Sequence, residues 1–195
     1  MDNGMGLRER KKAATRQALH EATLRLSLEH GFDHVTIEAI ADEVGISRRT
    51  FFNYFGGKED ALLYRDEQQI QALVQSVRNR PAEEPAWTAL RAAVHDMRDT
   101  LANPDRELAI RTRLAQQHPS LLARQLANHS ALEDDLTLAV AEREHPPGVR
   151  PWVIAAAFLT SLRLAAQMWL KEESARPPAD VMDEILDEMA SSFTT

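Results

Sequence analysis

TIEAIADEVGISRRTFFNYF, residues 36–55, is the stretch on which the fold of this chain turns. Its apolar side chains return at three- and four-residue spacing, the period of a helix and not of a strand. Thr36 stands where a hydroxyl can accept an unpaired N–H of the first helical turn, so a short helix is expected from there to Val44. Gly45 breaks it, and Ser47 can cap a second short helix through Tyr54. Helices of two turns bury little apolar surface alone, so the pair needs a third helix behind it. Two short helices, a tight glycine turn and a supporting helix make a helix-turn-helix, whose second short helix enters the major groove of duplex DNA with its N-terminal residues toward base edges.

Those N-terminal residues are Arg48, Arg49 and Thr50. Arginine can donate two parallel hydrogen bonds to guanine, and threonine offers a hydroxyl or a methyl to a base. Adjacent helical residues point about 100° apart. One arginine at most therefore faces bases squarely, and the other meets phosphate. Upstream lies a basic arm with Arg8, Arg10, Lys11, Lys12 and Arg16, of which Arg10 and Lys11 are further expected DNA contacts.

Outward from this stretch the chain is expected to be all helix. A first helix from about Arg8 to His30 carries Ala14, Ala18, Ala22 and Leu26 on one face and stops at Gly31. Lys58 opens a long helix to about Asn79, and NRPAEEPAW (79–87) interrupts the periodicity. Further helices are expected over about 86–102, from the Asn103-Pro104-Asp105 start signal, and over about 120–144, 152–174 and 180–192. The expected architecture is all-α with about nine helices: a DNA-binding domain over 1–56 and a larger ligand-binding and dimerisation domain over 57–195.

The net charge of −7 argues against a nucleic-acid partner until its distribution is considered. Residues 1–60 hold nine basic and ten acidic side chains, the remainder fourteen and twenty, so the surplus acid lies outside the N-terminal third. With no cysteine, disulfides, thiolate metal sites and cysteine nucleophiles are excluded. No run of about 18 uninterrupted apolar residues marks a membrane span. No signal peptide is read at the start, and a cytoplasmic location is expected.

The run VGISRRTFFNYFGGKEDAL (44–62), preceded by TIEAIADEV and by a basic first helix ending His30-Gly31-Phe32, resembles the DNA-binding domain of the TetR family of regulators over about residues 8–62. The resemblance implies that Thr36 caps its helix against a phosphate, that Arg48, Arg49 and Thr50 face bases, that Asn53 and Tyr54 touch bases or backbone, and that Lys58 holds a phosphate. Two positions depart from the family pattern. Phe52 replaces the usual tyrosine and its phosphate-binding hydroxyl, and Ser27 replaces a core phenylalanine. Leu24, Leu26, Leu28, Phe32, Ile37, Ile40, Val44, Phe51 and Phe55 remain to fill the small core.

In the larger half, Val181, Ile185 and Met189 form a stripe that Ala155, Leu159, Leu162, Ala166 and Trp169 of the preceding helix can join. Two such helices from each subunit would build a four-helix bundle on a two-fold axis, and the resemblance implies a homodimer of this kind. The alternative is that the stripes face the subunit's own core. An apolar effector pocket is expected among Trp87, Met97, Leu101, Leu114, His118, Leu122, Leu126, His129, Arg163 and Gln167. Arg163, in an apolar run, needs a carboxylate or a ligand anion if buried. Residues 106–144 are similar to a TetR subgroup with an acyl-CoA-like ligand-binding domain, which implies a CoA thioester or another hydrophobic anion as effector. His95, His118 and His129 lack metal-ligand spacing, and no cofactor is expected. A helical enzyme or a helical scaffold are the competing classes. The absence of HExxH, P-loop and dinucleotide motifs speaks against the enzyme. The expected function is therefore release of a repressor from a palindromic operator by a small molecule.

Overall fold

The computed structural model describes residues 6–100, 110, 113–114, 116–143, 148–171 and 176–191. Leu101 and the Asn103-Pro104-Asp105 helix start lie outside the described residues. Among the described residues there are eight α-helices, one 3-10 turn and no strand. They are α1 (Leu7–His30), the 3-10 turn Phe32–His34, α2 (Ile37–Val44), α3 (Arg48–Phe51), α4 (Lys58–Asn79), α5 (Ala86–Thr100), α6 (Pro119–Ala141), α7 (Arg150–Lys171) and α8 (Pro178–Ala190). Pro119 and Pro178 each open a helix, where the missing N–H costs nothing. α3 ends at Phe51 and not at Tyr54 as expected: Asn53 and Tyr54 donate their N–H groups three residues back, to Thr50 and Phe51 at 3.1 and 2.9 Å, which tightens the chain out of the α-helix.

The chain divides into two compact units, the first comprising 1–68 with 118–125 and the second 69–117 with 126–195. The first therefore runs past residue 56, because Ala61 and Tyr64 of α4 belong to its core. That core gathers Leu19, Leu26, Val35, Ile40, Ala41, Phe51 and Phe55 around the same two residues. An aromatic chain runs through it, with Phe51 and Phe55 centroids 6.0 Å apart and Phe55 and Tyr64 5.4 Å apart. Ser27 is buried where a phenylalanine was to be expected, and its hydroxyl is satisfied by the Thr23 carbonyl at 2.6 Å. Leu28, expected inside, is 53% exposed, because the inward face of α1 runs through Leu19, Ala22, Thr23, Leu26 and Ser27. His20, also buried, bonds through Nδ1 to the Ala61 carbonyl at 3.0 Å and ties α1 to α4.

The second unit packs Leu73, Val74 and Val77 of α4 with Leu90 and Ala93 of α5, Leu136 and Val140 of α6, and the inward faces of α7 and α8. Trp87 meets Phe158 edge to face at 5.6 Å. Arg91 of α5 reaches Asp183 and Asp187 of α8, and its guanidinium is held above the ordinary arginine value mainly by the hydrogen bond to Asp187. Arg143 donates to the carbonyl of Val77 in the last turn of α4 and to those of Arg80 and Pro81 just beyond it.

α7 is long and apolar enough by composition to cross a membrane, yet Ile154, Ala155, Phe158, Leu159, Ala165 and Trp169 are buried in the protein. The expected dimer stripe is thus covered in part by the chain itself. Ala155, Leu159, Trp169 and Val181 are buried within their own unit, and Leu162, Ile185 and Met189 pack against the same core, with Ala166 half-buried. The exposed apolar face of α7 is a different one, carrying Trp152, Val153 and Leu164 at 52%, 49% and 39% exposure.

Candidate DNA-binding site

The site is built on two capped helices and one glycine. The Thr36 hydroxyl accepts the Ala39 N–H at 3.1 Å and starts α2, and the Ser47 hydroxyl accepts the Thr50 N–H at 3.1 Å and starts α3. Between them Gly45 adopts φ 72° and ψ 33°, a left-handed conformation that a Cβ would strain, and its N–H returns to the carbonyls of Ala41 and Asp42. Phe51 and Ile40, both fully buried, fasten the two helices to α1. The exposed edge that results carries Ser47, Arg48, Arg49, Phe52 and Asn53, with Thr50 and Tyr54 partly buried beside them.

The two arginines differ. Arg48 pairs with Glu38 of α2 at 2.9 Å and lies over the Phe52 ring at 5.7 Å. Arg49 is exposed and has no partner among the described residues. Phe52, which lacks a hydroxyl for phosphate, thus serves as a platform that holds one guanidinium. The Thr50 hydroxyl lies 2.8 Å from that of Ser47, so part of its hydrogen-bonding capacity is engaged in the cap. Arg10 and Lys11 are exposed on the first turns of α1.

Lys58 is engaged within the unit. Its ammonium donates to the carbonyls of Phe32 and Val35 at 2.8 and 3.0 Å and sits 4.5 Å from the centre of the Phe32 ring. It braces the turn between α1 and α2. The physical cause is the 3-10 turn Phe32–His34, whose carbonyls converge on the start of α4. The patterns of apolar spacing did not contain that turn.

The expected effector residues are scattered. Trp87 and Leu114 are buried, and Met97 packs against the core of the second unit. His129 and Gln167 are half-buried. His118 is elsewhere: it stacks on Phe32 at 5.3 Å and bonds Asp33 through Nδ1 at 3.1 Å, inside the N-terminal unit. Leu122 and Leu126 are 45% and 56% exposed. Arg163 is exposed too, so it is not the buried guanidinium that would require a counter-charge. Among the described residues no group of three or more His, Asp or Glu side chains is placed to hold a metal ion.

Comparison with known proteins agrees with this geometry. Residues 19–64 match the model for bacterial regulatory proteins of the tetR family, and residues 84–194 match that of the MftR C-terminal domain. The chain is 34% identical over 176 residues to the HTH-type transcriptional regulator TcmR of Streptomyces glaucescens, covering 86% of this chain and 78% of TcmR. It is 28% identical to the HTH-type transcriptional repressor AcnR of Corynebacterium diphtheriae, covering 88% of this chain and 87% of that one. Among solved structures it resembles the TetR-family repressor FadR of Thermus thermophilus in complex with lauroyl-CoA, with a TM-score of 0.61, 22% identity, and coverage of 90% and 93% of the two chains. A regulator, and not an enzyme, is what these relatives have in common. The chain belongs to the tetR family of bacterial regulatory proteins and is an HTH-type transcriptional regulator.

Proposed function

We propose that this regulator acts in the cytoplasm as a homodimeric repressor that leaves a palindromic operator when a hydrophobic small molecule binds its C-terminal half. The observation that carries the DNA side is the contrast between the arginines: Arg49, exposed and unpartnered among the described residues, is the base reader, and Arg48, held by Glu38 and Phe52, is the phosphate contact. Thr50, Asn53 and Tyr54 supply the neighbouring contacts, Thr36 and Ser47 hold the helix starts near the backbone, and Arg10 and Lys11 add electrostatic attraction.

The partner subunit in this proposal covers the exposed face of α7. Trp152, Val153, Thr160, Arg163, Leu164 and Gln167 fall on one side of the helix at 100° per residue, a mixed face on which three large apolar side chains stand exposed to water. A two-fold pair through this face offers two recognition helices to a palindrome.

For the effector we propose a hydrophobic molecule, with an acyl-CoA as the first class to test. The apolar surroundings of Trp87 and Met97 and the fold shared with a lauroyl-CoA complex support it. α4, whose first part belongs to the N-terminal unit and whose second part belongs to the other, is the element that would carry the response. Selection of bound duplexes from a random pool tests the function: a two-fold symmetric half-site pair is expected, and failure to retain any duplex at low salt would remove the proposal.

A further inference from the structure

Within the N-terminal unit an open cleft of about 290 Å³ lies among α1, the turn after α3, α4 and the start of α6. Arg16, Tyr54, Gly56, Asp60, Tyr64 and Arg124 line it. Its acceptors are engaged. Asp60 accepts the Gly56 N–H through Oδ2 at 3.0 Å and pairs through Oδ1 with Arg124 Nε at 2.6 Å, and the Tyr64 hydroxyl accepts from Gln68 at 2.6 Å. The donors are in surplus. Arg16 is half-buried with no partner among the described residues, Arg124 spends only Nε on Asp60, and the Tyr54 hydroxyl is unengaged there as well. A guanidinium can only donate, so two of them against one carboxylate leave the cleft a net cation that lacks acceptors.

We propose that this cleft binds a phosphate-type oxyanion between Arg16 and Arg124, with the Tyr54 hydroxyl as a third donor. The donors stand on three elements around one cleft, an arrangement that suits the tetrahedral oxygens of a phosphoryl group better than the two coplanar oxygens of a carboxylate. Because Arg124 belongs to α6 and Arg16 to α1, the bound anion fastens the start of α6 to the DNA-binding helices. The oxyanion is either a phosphodiester of the DNA backbone or the phosphoryl group of a small molecule.

Tyr54 and Tyr64 are the only two tyrosines of the chain, and both line the cleft, so fluorine NMR of full-length protein carrying 3-fluorotyrosine reads this site, with Tyr64, which is not among the proposed DNA contacts, reporting the cleft itself. Sodium phosphate titrated against chloride at fixed ionic strength is expected to move a resonance saturably, and Arg16→Gln is expected to weaken that binding about tenfold or more, the worth of a charge-assisted hydrogen bond. Arg16→Lys and Arg124→Lys, with helix content checked by circular dichroism, retain charge and should bind at reduced affinity. If the source is DNA, mixed-sequence duplex moves the Tyr64 resonance and Arg16→Gln lowers the salt slope of binding by about one. If it is a small molecule, phosphate alone suffices and the salt slope of Arg16→Gln matches that of the unaltered protein. Silence of both resonances toward phosphate and duplex alike, or a saturable shift that survives Arg16→Gln, overturns the proposal. The phosphate titration contains no DNA, so its failure is separable from failure of operator binding.

Discussion

In the N-terminal unit Thr36, Gly45 and Ser47 each answer one main-chain requirement that few residue types can meet, and a chain of three aromatic rings closes the core behind them. In the second unit α7 carries apolar side chains nearly all the way round, from Trp152 to Leu170, and which of them face inward depends on neighbours far away in sequence. The first kind of structure is intolerant of substitution at named positions. The second tolerates exchange inside but depends on what its outer face meets.

Phe51→Ala is the most direct way to test the first half of that contrast. Loss of a fully buried ring should cost about 3–5 kcal/mol, enough to unfold the reading head, whereas volume-conserving Leu136→Met in the other unit should cost less than about 1.5 kcal/mol. Urea titrations of both variants, followed by circular dichroism, provide the measurement, and equal losses would erase the distinction.

The outer face of α7 comes next. Val153→Glu would place an unpaired charge in the proposed subunit contact at a cost of about 3–5 kcal/mol per charge, so a shift from dimer to monomer is expected in sedimentation. Leu159→Met, on the buried side of the same helix, should leave the assembly state alone.

Arg49→Ala should cost about 1–3 kcal/mol of operator affinity and relax discrimination at one base pair, and Arg48→Ala should weaken all duplexes more evenly. Footprints and salt titrations on selected duplexes separate the two outcomes. Ser47→Ala removes a cap worth about 1 kcal/mol, seen first as fraying of α3 in hydrogen exchange.

The smallest effect concerns Glu84. The Arg80 hydrogen bond holds its carboxyl below the usual value of 4.5, so its contribution to stability is present above that value and fades as the pH falls through the lower folded one. Glu84→Gln should flatten that acid limb of the stability curve.

The helix-turn-helix was legible because caps and glycine turns are local: Thr36, Gly45 and Ser47 act on atoms three or four residues away. The long helices were legible through their prolines and their apolar period. The direction of α7 was not, because only Thr160, Arg163 and Gln167 mark its outward side among apolar neighbours, and Ala155 and Leu159 belong to the inside. Arg163 is an exposed residue in an apolar run and belongs to that outward side. The brace at Lys58 and the Asp33 partner of His118 depend on pairs 26 and 85 residues apart, beyond any spacing rule.

Residues 118–125 return to the N-terminal unit after a long excursion, and His118 and Arg124 supply contacts to Phe32, Asp33 and Asp60. Anyone grafting this reading head onto a foreign sensor would have to carry that octapeptide along and splice after residues 68, 117 and 125. A chimera joined at one point would leave Phe32 and Asp60 without their covering side chains, and its failure to repress would say nothing about the compatibility of the borrowed sensor.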